Sequence, residues 1–133
     1  MKYEHKSKLE DCIYVEDNAI SKMLCYDLIK HFEDSISFRT DDHRKQADEM
    51  QLVGDPRKES IEFKGPKHHK KYLAVILYLN DCDDGETVFP VAGAEIQPEM
   101  GRIAIWPSGL PFYHYGKKSS TVKYIITTWF EFE

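Results

Sequence analysis

The stretch Tyr72-Leu73-Ala74-Val75-Ile76-Leu77-Tyr78-Leu79-Asn80-Asp81 is followed, after Cys82-Asp83-Asp84, by Gly85-Glu86-Thr87-Val88-Phe89-Pro90. Residues 72–79 are continuously apolar, which fits a strand buried on both faces and therefore central in its sheet. Beyond them, residues 87–89, 94–97 and 102–106 read as further short strands, separated by Pro90, Gly93, Pro98 and Gly101. Residues 123–132, rich in aromatic and β-branched side chains, make a closing strand, and residues 61–63 an earlier one. Short strands punctuated by turn residues predict a sandwich or jelly roll.

Upstream the pattern changes. Residues 12–15 read as a short strand, and Ser21 offers an N-cap to a helix with apolar residues at Leu24, Leu28, Ile29 and Phe32. That helix is expected to lie against a sheet, with Cys25 packed in its apolar stripe as a small hydrophobe. Residues 41–51 are polar with weak helical spacing, and Gly54-Asp55-Pro56 reads as a turn. Nothing marks a domain boundary or a repeat. A chain of 133 residues is therefore read as one domain, with 1–60 a strand-and-helix buttress and 61–133 the jelly-roll core.

Hydrophobic residues at 41% and charged residues at 31% indicate a globular chain. No apolar run approaches the roughly 20 residues that span a bilayer, so neither a signal peptide nor a membrane partner is expected. A net charge of −5 argues against nucleic acid as the partner; Lys64, Lys67, His68, His69, Lys70 and Lys71 form the one basic cluster. Cys12, Cys25 and Cys82 are odd in number and widely spaced, so they form neither a disulfide framework nor a paired-thiol zinc site. A reducing, cytoplasmic setting follows.

The order of four segments carries a resemblance. Tyr78-Leu79-Asn80-Asp81 with Gly85-Glu86-Thr87-Val88-Phe89-Pro90 is followed by Ile96-Gln97-Pro98-Glu99-Met100-Gly101-Arg102-Ile103-Ala104-Ile105-Trp106-Pro107, then by His114, then by Lys123-Tyr124-Ile125-Ile126-Thr127-Thr128-Trp129-Phe130. Together they resemble the iron(II)- and 2-oxoglutarate-dependent oxygenases of the prolyl 4-hydroxylase type. The resemblance implies a mainly β fold with an N-terminal helix, a double-stranded β-helix of the cupin-like, jelly-roll kind. It implies Fe(II) and 2-oxoglutarate as cofactors, and hydroxylation of a peptidyl, prolyl or other small substrate with oxidative decarboxylation of the cosubstrate to succinate. By the same resemblance His114 is a metal ligand, Lys123 pairs with the far carboxylate of 2-oxoglutarate, and Tyr78 and Thr127 line the cosubstrate site. Side chains alternate along a strand, so Ile125, Thr127 and Trp129 are expected on the inward face with Lys123.

A facial iron site takes two histidines and a carboxylate, which this family supplies from His-x-Asp or His-x-Glu. Here the stretch before the central strand offers His69, with His68 as its alternative, but Lys71 and Lys70 stand two residues beyond them. His31-Phe32-Glu33 has the right spacing yet falls inside the predicted helix, where His31 is read as a surface residue. The carboxylate ligand is not identified. Three readings follow: an oxygenase whose third ligand is water, an anion or one of Asp41, Asp42, Asp83, Asp84 and Glu86; a catalytically inactive jelly-roll binding module; or a rearranged site fed by Asp41-Asp42-His43.

Blander roles stand beside these. His114 is equally a loop histidine that merely hydrogen bonds, His68 and His69 part of a solvated basic turn, and Lys123 one half of a salt bridge at a sheet edge. Tyr78 fills the core as well as it binds a carboxylate, and Trp106 and Trp129 are expected to be core residues.

Overall fold

The computed structural model describes residues 7–35, 39–42, 47–50 and 71–132, with 39–42 and 47–50 described by their backbone alone. A single 3-10 turn, Leu9–Cys12, leads into β1 (Tyr14–Glu16), so the strand expected over 12–15 begins later. Helix α1 spans Lys22–Asp34, and the Ser21 hydroxyl caps it by accepting from the Leu24 amide at 3.2 Å. Cys25 is fully buried on its inner stripe, as expected, whereas Leu24 in the first turn faces solvent. His31 is exposed, as read from the sequence.

Strands β2 (Arg39–Asp42) and β3 (Ala47–Met50) form an antiparallel hairpin. The weak helical spacing of 41–51 is thus overturned: the backbone groups are satisfied by ladder pairing, which needs no apolar face of helical period. The turn at 54–56 and the strand at 61–63 lie outside the described residues.

The remaining strands build two layers. β4 (Lys71–Tyr78), β7 (Ile103–Pro107), β9 (Ile125–Glu131) and β1 form an antiparallel sheet in the order β1-β7-β4-β9. The apolar run is central, as its composition predicts. β5 (Thr87–Phe89), β6 (Ala94–Ile96) and β8 (Tyr115–Gly116) make a second sheet in the order β6-β5-β8. The sequence gives no hint of β8, which is two residues long. The closing strand starts at Ile125, two residues after Lys123.

Register decides what faces inward. Ala74 pairs with Trp106, Ile76 with Ala104 and with Thr127, and Tyr78 with Ile125. Directly opposed residues project to one face. Ala74, Ile76, Tyr78, Ala104 and Trp106 therefore meet Phe89, Ala92, Ile96 and Phe112 in one core between the sheets. Such facing antiparallel layers are the jelly roll the sequence predicts.

Two close approaches tie the connections down. A side chain at Gly101, whose φ is +83°, would stand 2.8 Å from the Ile20 carbonyl, and the Gly101 carbonyl accepts from Ala19 at 2.8 Å. This docks the lead-in to α1 on the turn before β7. At Gly85, with φ of +84°, a Cβ would meet that of Ser119 at 2.8 Å, so the β4–β5 connection passes directly under the segment leading to Lys123. At its other end α1 presents Phe32 edge-on to Tyr124, with ring centroids 6.2 Å apart.

Candidate active site

The inner face of β4 ends on Tyr78, which is fully buried. Its hydroxyl reaches across the core to Thr87 Oγ1 at 2.6 Å, joining the two sheets by one short hydrogen bond. Burial raises the phenol's pKa, so Tyr78 is a neutral hydrogen-bonding group.

Lys123 lies against the connection that leads into β5. Its half-buried ammonium donates to the Gly85 carbonyl at 2.8 Å, and a Cβ at Gly116 would lie 3.5 Å from Nζ. The carbonyl is the one acceptor given to it among the described residues, and it makes no ion pair there. The sheet-edge salt bridge is thus replaced by a main-chain contact. Burial holds its pKa below the ordinary lysine value, opposed by the nearby Cys82, Glu86 and Asp84. A partly desolvated ammonium with donors to spare and no direct ion pair among the described residues suits an arriving carboxylate.

Ile125, Thr127 and Trp129 share the core face by register, while Lys123 lies before the strand. They are nevertheless exposed, Trp129 by 45%. Trp129 is therefore not a core residue: β9 is the outer strand of its sheet, and layer contact falls away at an edge. Trp106, on the interior strand β7, is buried as expected.

His114 closes the other side of the layer. Its ring lies 4.8 Å from Trp106 and 5.4 Å from Phe89, centroid to centroid. Nδ1 is 3.0 Å from the Phe112 carbonyl, which can only accept, so Nδ1 donates and, in the neutral tautomer, Nε2 is the nitrogen with the lone pair. An imidazole packed on two aromatic rings and bonded through Nδ1 to a carbonyl is free to present Nε2.

The other candidates are not gathered there. His68, His69 and His43 lie outside the described residues. Asp41 and Asp42 belong to β2, where Asp41 pairs with Asp48. Asp84 accepts from Ser119 Oγ and the Ser120 amide, and Glu86 lies 3.6 Å from the Lys117 ammonium; Asp83 is exposed. Lys71, the residue two beyond His69, places its ammonium 3.7 Å above the Trp129 ring, a cation–π contact. No group of three His, Cys, Asp or Glu side chains among the described residues is disposed to hold a metal. The described residues fit a carboxylate at Lys123 and one metal ligand at His114, and do not complete an iron site.

The sequence alone points to no role for Thr87 or the Gly85 carbonyl, nor to the packing of Phe89 and Trp106 on His114. Thr87 and Phe89 stand within the quoted Gly-Glu-Thr-Val-Phe segment, which is the signal that marks them. The Phe112 carbonyl has no sequence signal, because any residue supplies one.

The family model of the 2OG-Fe(II) oxygenase superfamily matches residues 32–131. Among solved structures, the chain is similar to the viral collagen prolyl hydroxylase of Paramecium bursaria Chlorella virus-1 in complex with 2-oxoglutarate. That match has 16% identity and a TM-score of 0.62, over 89% of this chain and 94% of that one. A truncated form of the same viral enzyme matches with 16% identity and a TM-score of 0.56, over 96% and 94%. No curated protein matches.

Proposed function

Because the chain belongs to the 2OG-Fe(II) oxygenase superfamily, we propose that it is a 2-oxoglutarate-dependent dioxygenase hydroxylating a peptidyl substrate, prolyl side chains included, or another small molecule. The observation that carries this is the half-buried Lys123 ammonium, held by the Gly85 carbonyl and in no ion pair among the described residues. Lys123 binds the far carboxylate of the cosubstrate, Tyr78 and Thr127 flank it, and Thr87 positions the Tyr78 hydroxyl. His114 presents Nε2 as one iron ligand, and His69 or His68 is the second. Iron and 2-oxoglutarate, when bound, supply oxidative decarboxylation coupled to hydroxylation of a C–H bond. The partner is a peptide or small molecule rather than nucleic acid. Three free cysteines suit a cytoplasmic setting, and no helix among the described residues is long and apolar enough to cross a membrane.

Anaerobic titration of the protein with Fe(II) and 2-oxoglutarate tests the reading. A weak visible charge-transfer band, formed only when both are present and lost in His114→Ala, is the expected result. Absence of both the band and metal uptake overturns it. One observation favours a second reading, an inactive binding module: Lys71 puts a positive charge on Trp129, a residue of the inward register. A module of that kind binds 2-oxoglutarate with the same affinity whether or not Fe(II) is present.

A further inference from the structure

Two side chains hold the segment that carries Lys123. Asp84 accepts from the Ser119 hydroxyl at 3.1 Å and the Ser120 amide at 2.9 Å, upstream of the lysine. Asn80, just past the end of β4, grips the residues on either side of it. Its Nδ2 donates to the Val122 carbonyl at 2.8 Å, and its Oδ1 accepts from the Tyr124 amide at 2.8 Å. In an extended chain the carbonyl of one residue and the amide two residues on point to the same edge, so one planar carboxamide meets both. Beside it the Leu79 amide donates to the Tyr124 carbonyl at 2.9 Å, and the Cys82 thiol reaches the Val122 carbonyl at 3.8 Å. The β4–β9 ladder, whose pairing ends at Tyr78 with Ile125, is thus carried further by a side chain. Lys123 is the one residue between the two gripped peptides. Its flexible four-carbon stem lets the ammonium wander unless the main chain is fixed, and here Nζ meets the Gly85 carbonyl at 2.8 Å.

We infer that Asn80 is a positioning residue for Lys123, fixing the main chain on both sides of it so that the ammonium is in place before the cosubstrate arrives. The inference rests on the reading of Lys123 as the partner of the far carboxylate of 2-oxoglutarate, and adds the residue that sets its aim. Both Asn80 bonds run to main-chain atoms, so it acts on the lysine through the backbone. Order present before binding is not charged against affinity when the ligand comes, which is the gain of preorganisation. The chemistry requires a carboxamide at this length. Aspartate would set a carboxylate oxygen against the Val122 carbonyl, and leucine would offer the Tyr124 amide no acceptor.

The test compares dissociation constants of 2-oxoglutarate and 2-oxopentanoate, the same 2-oxo acid with a methyl in place of the far carboxylate, on the intact protein with Fe(II) under anaerobic conditions. Asn80→Ala is expected to weaken 2-oxoglutarate binding by about tenfold, the worth of one or two hydrogen bonds, and to leave 2-oxopentanoate within about twofold of wild type. An asparagine that merely supports the fold would weaken both acids alike. Asn80→Asp keeps the acceptor for the Tyr124 amide and loses the donor to Val122; it is expected to lose part of the same preference, and it carries the comparison if Asn80→Ala does not fold. Asp81→Ala removes a neighbouring bond, from the Met100 amide at 2.8 Å, and should lower stability without changing the ratio of the two constants. Equal weakening of both acids in the Asn80 variants, or the same loss of preference in Asp81→Ala, overturns the inference. If wild type prefers 2-oxoglutarate and the Asn80 variants keep that preference, positioning by Asn80 fails alone. If wild type binds the two acids equally, or binds neither, the reading of Lys123 beneath it fails.

Discussion

The two ends of the candidate site are built differently. At one end Lys123 is half-buried on the Gly85 carbonyl, two residues before Thr87, whose hydroxyl pairs with that of Tyr78 out of contact with water. At the His114 end, only the back of the imidazole is packed, against Phe89 and Trp106, while Leu110 and Tyr113 stand in solvent. The contrast follows from what each end must hold. A carboxylate gains most from a cation in a low-dielectric cleft, where charge pairing is least screened. A substrate must enter and leave, so its end stays open and its residues contribute little to folding.

The sharpest way to break that contrast is Phe89→Ala, since Phe89 is fully buried and touches both Trp106 and His114. A loss of about 3–5 kcal/mol is expected, read as a lower urea midpoint. A loss confined to the His114 resonances, with stability intact, would show that the clamp is not part of the shared core.

Lys123→Met separates binding from stability. Removing the cation is expected to weaken 2-oxoglutarate binding by about 2–5 kcal/mol in calorimetry, while the urea midpoint stays level or rises, because no ion pair among the described residues is lost. Its pH dependence has a definite sign. Burial depresses the folded pKa of Lys123, so between the folded and unfolded values the unfolded chain binds more protons, and stability rises with pH through that window. The rise should disappear in the methionine variant. A midpoint that instead falls sharply at neutral pH would place a structural anion on Lys123.

Tyr78→Phe leaves the Thr87 hydroxyl buried without its partner, at an expected cost of about 1–3 kcal/mol. Adding Thr87→Val should recover part of that loss, because both polar groups are then gone. Additive losses would mean that the two hydroxyls do not depend on each other.

The smallest effect is expected at Asp84, whose carboxyl the Ser120 amide and the Ser119 hydroxyl hold below the ordinary carboxylate range. A depressed folded pKa stabilises above the unfolded value, and that contribution is lost as pH falls through the folded one. Melting temperatures of Asp84→Asn and wild type should therefore converge in acid and separate slightly near neutrality. Equal curves at every pH would remove the clasp from the account of how the segment before Lys123 is held.

Much of this was legible in the residues. The apolar run 72–79 announced a central strand, Ser21 announced a helix start, and the Gly-Glu-Thr-Val-Phe segment announced β5. These signals are local, set by side-chain size and backbone preference within a few residues. The β2–β3 hairpin was missed because polar strands carry no period-2 apolar signature, and β8 because two residues carry no period at all. Composition makes Trp129 look like core because it records how apolar a residue is, and not that its strand lies at a sheet edge.

The same division holds for the site. The sequence alone puts His114 and Lys123 at fixed spacing just before the closing strand, and alternation puts Ile125, Thr127 and Trp129 on one face of it. Tertiary structure alone decided that Tyr78 bonds to Thr87, that Lys123 rests on the Gly85 carbonyl, and that the His114 tautomer is set by Phe112. Each of these joins atoms brought together by sheet packing or by the path of a loop. Which donor meets which acceptor is fixed only once the chain has folded.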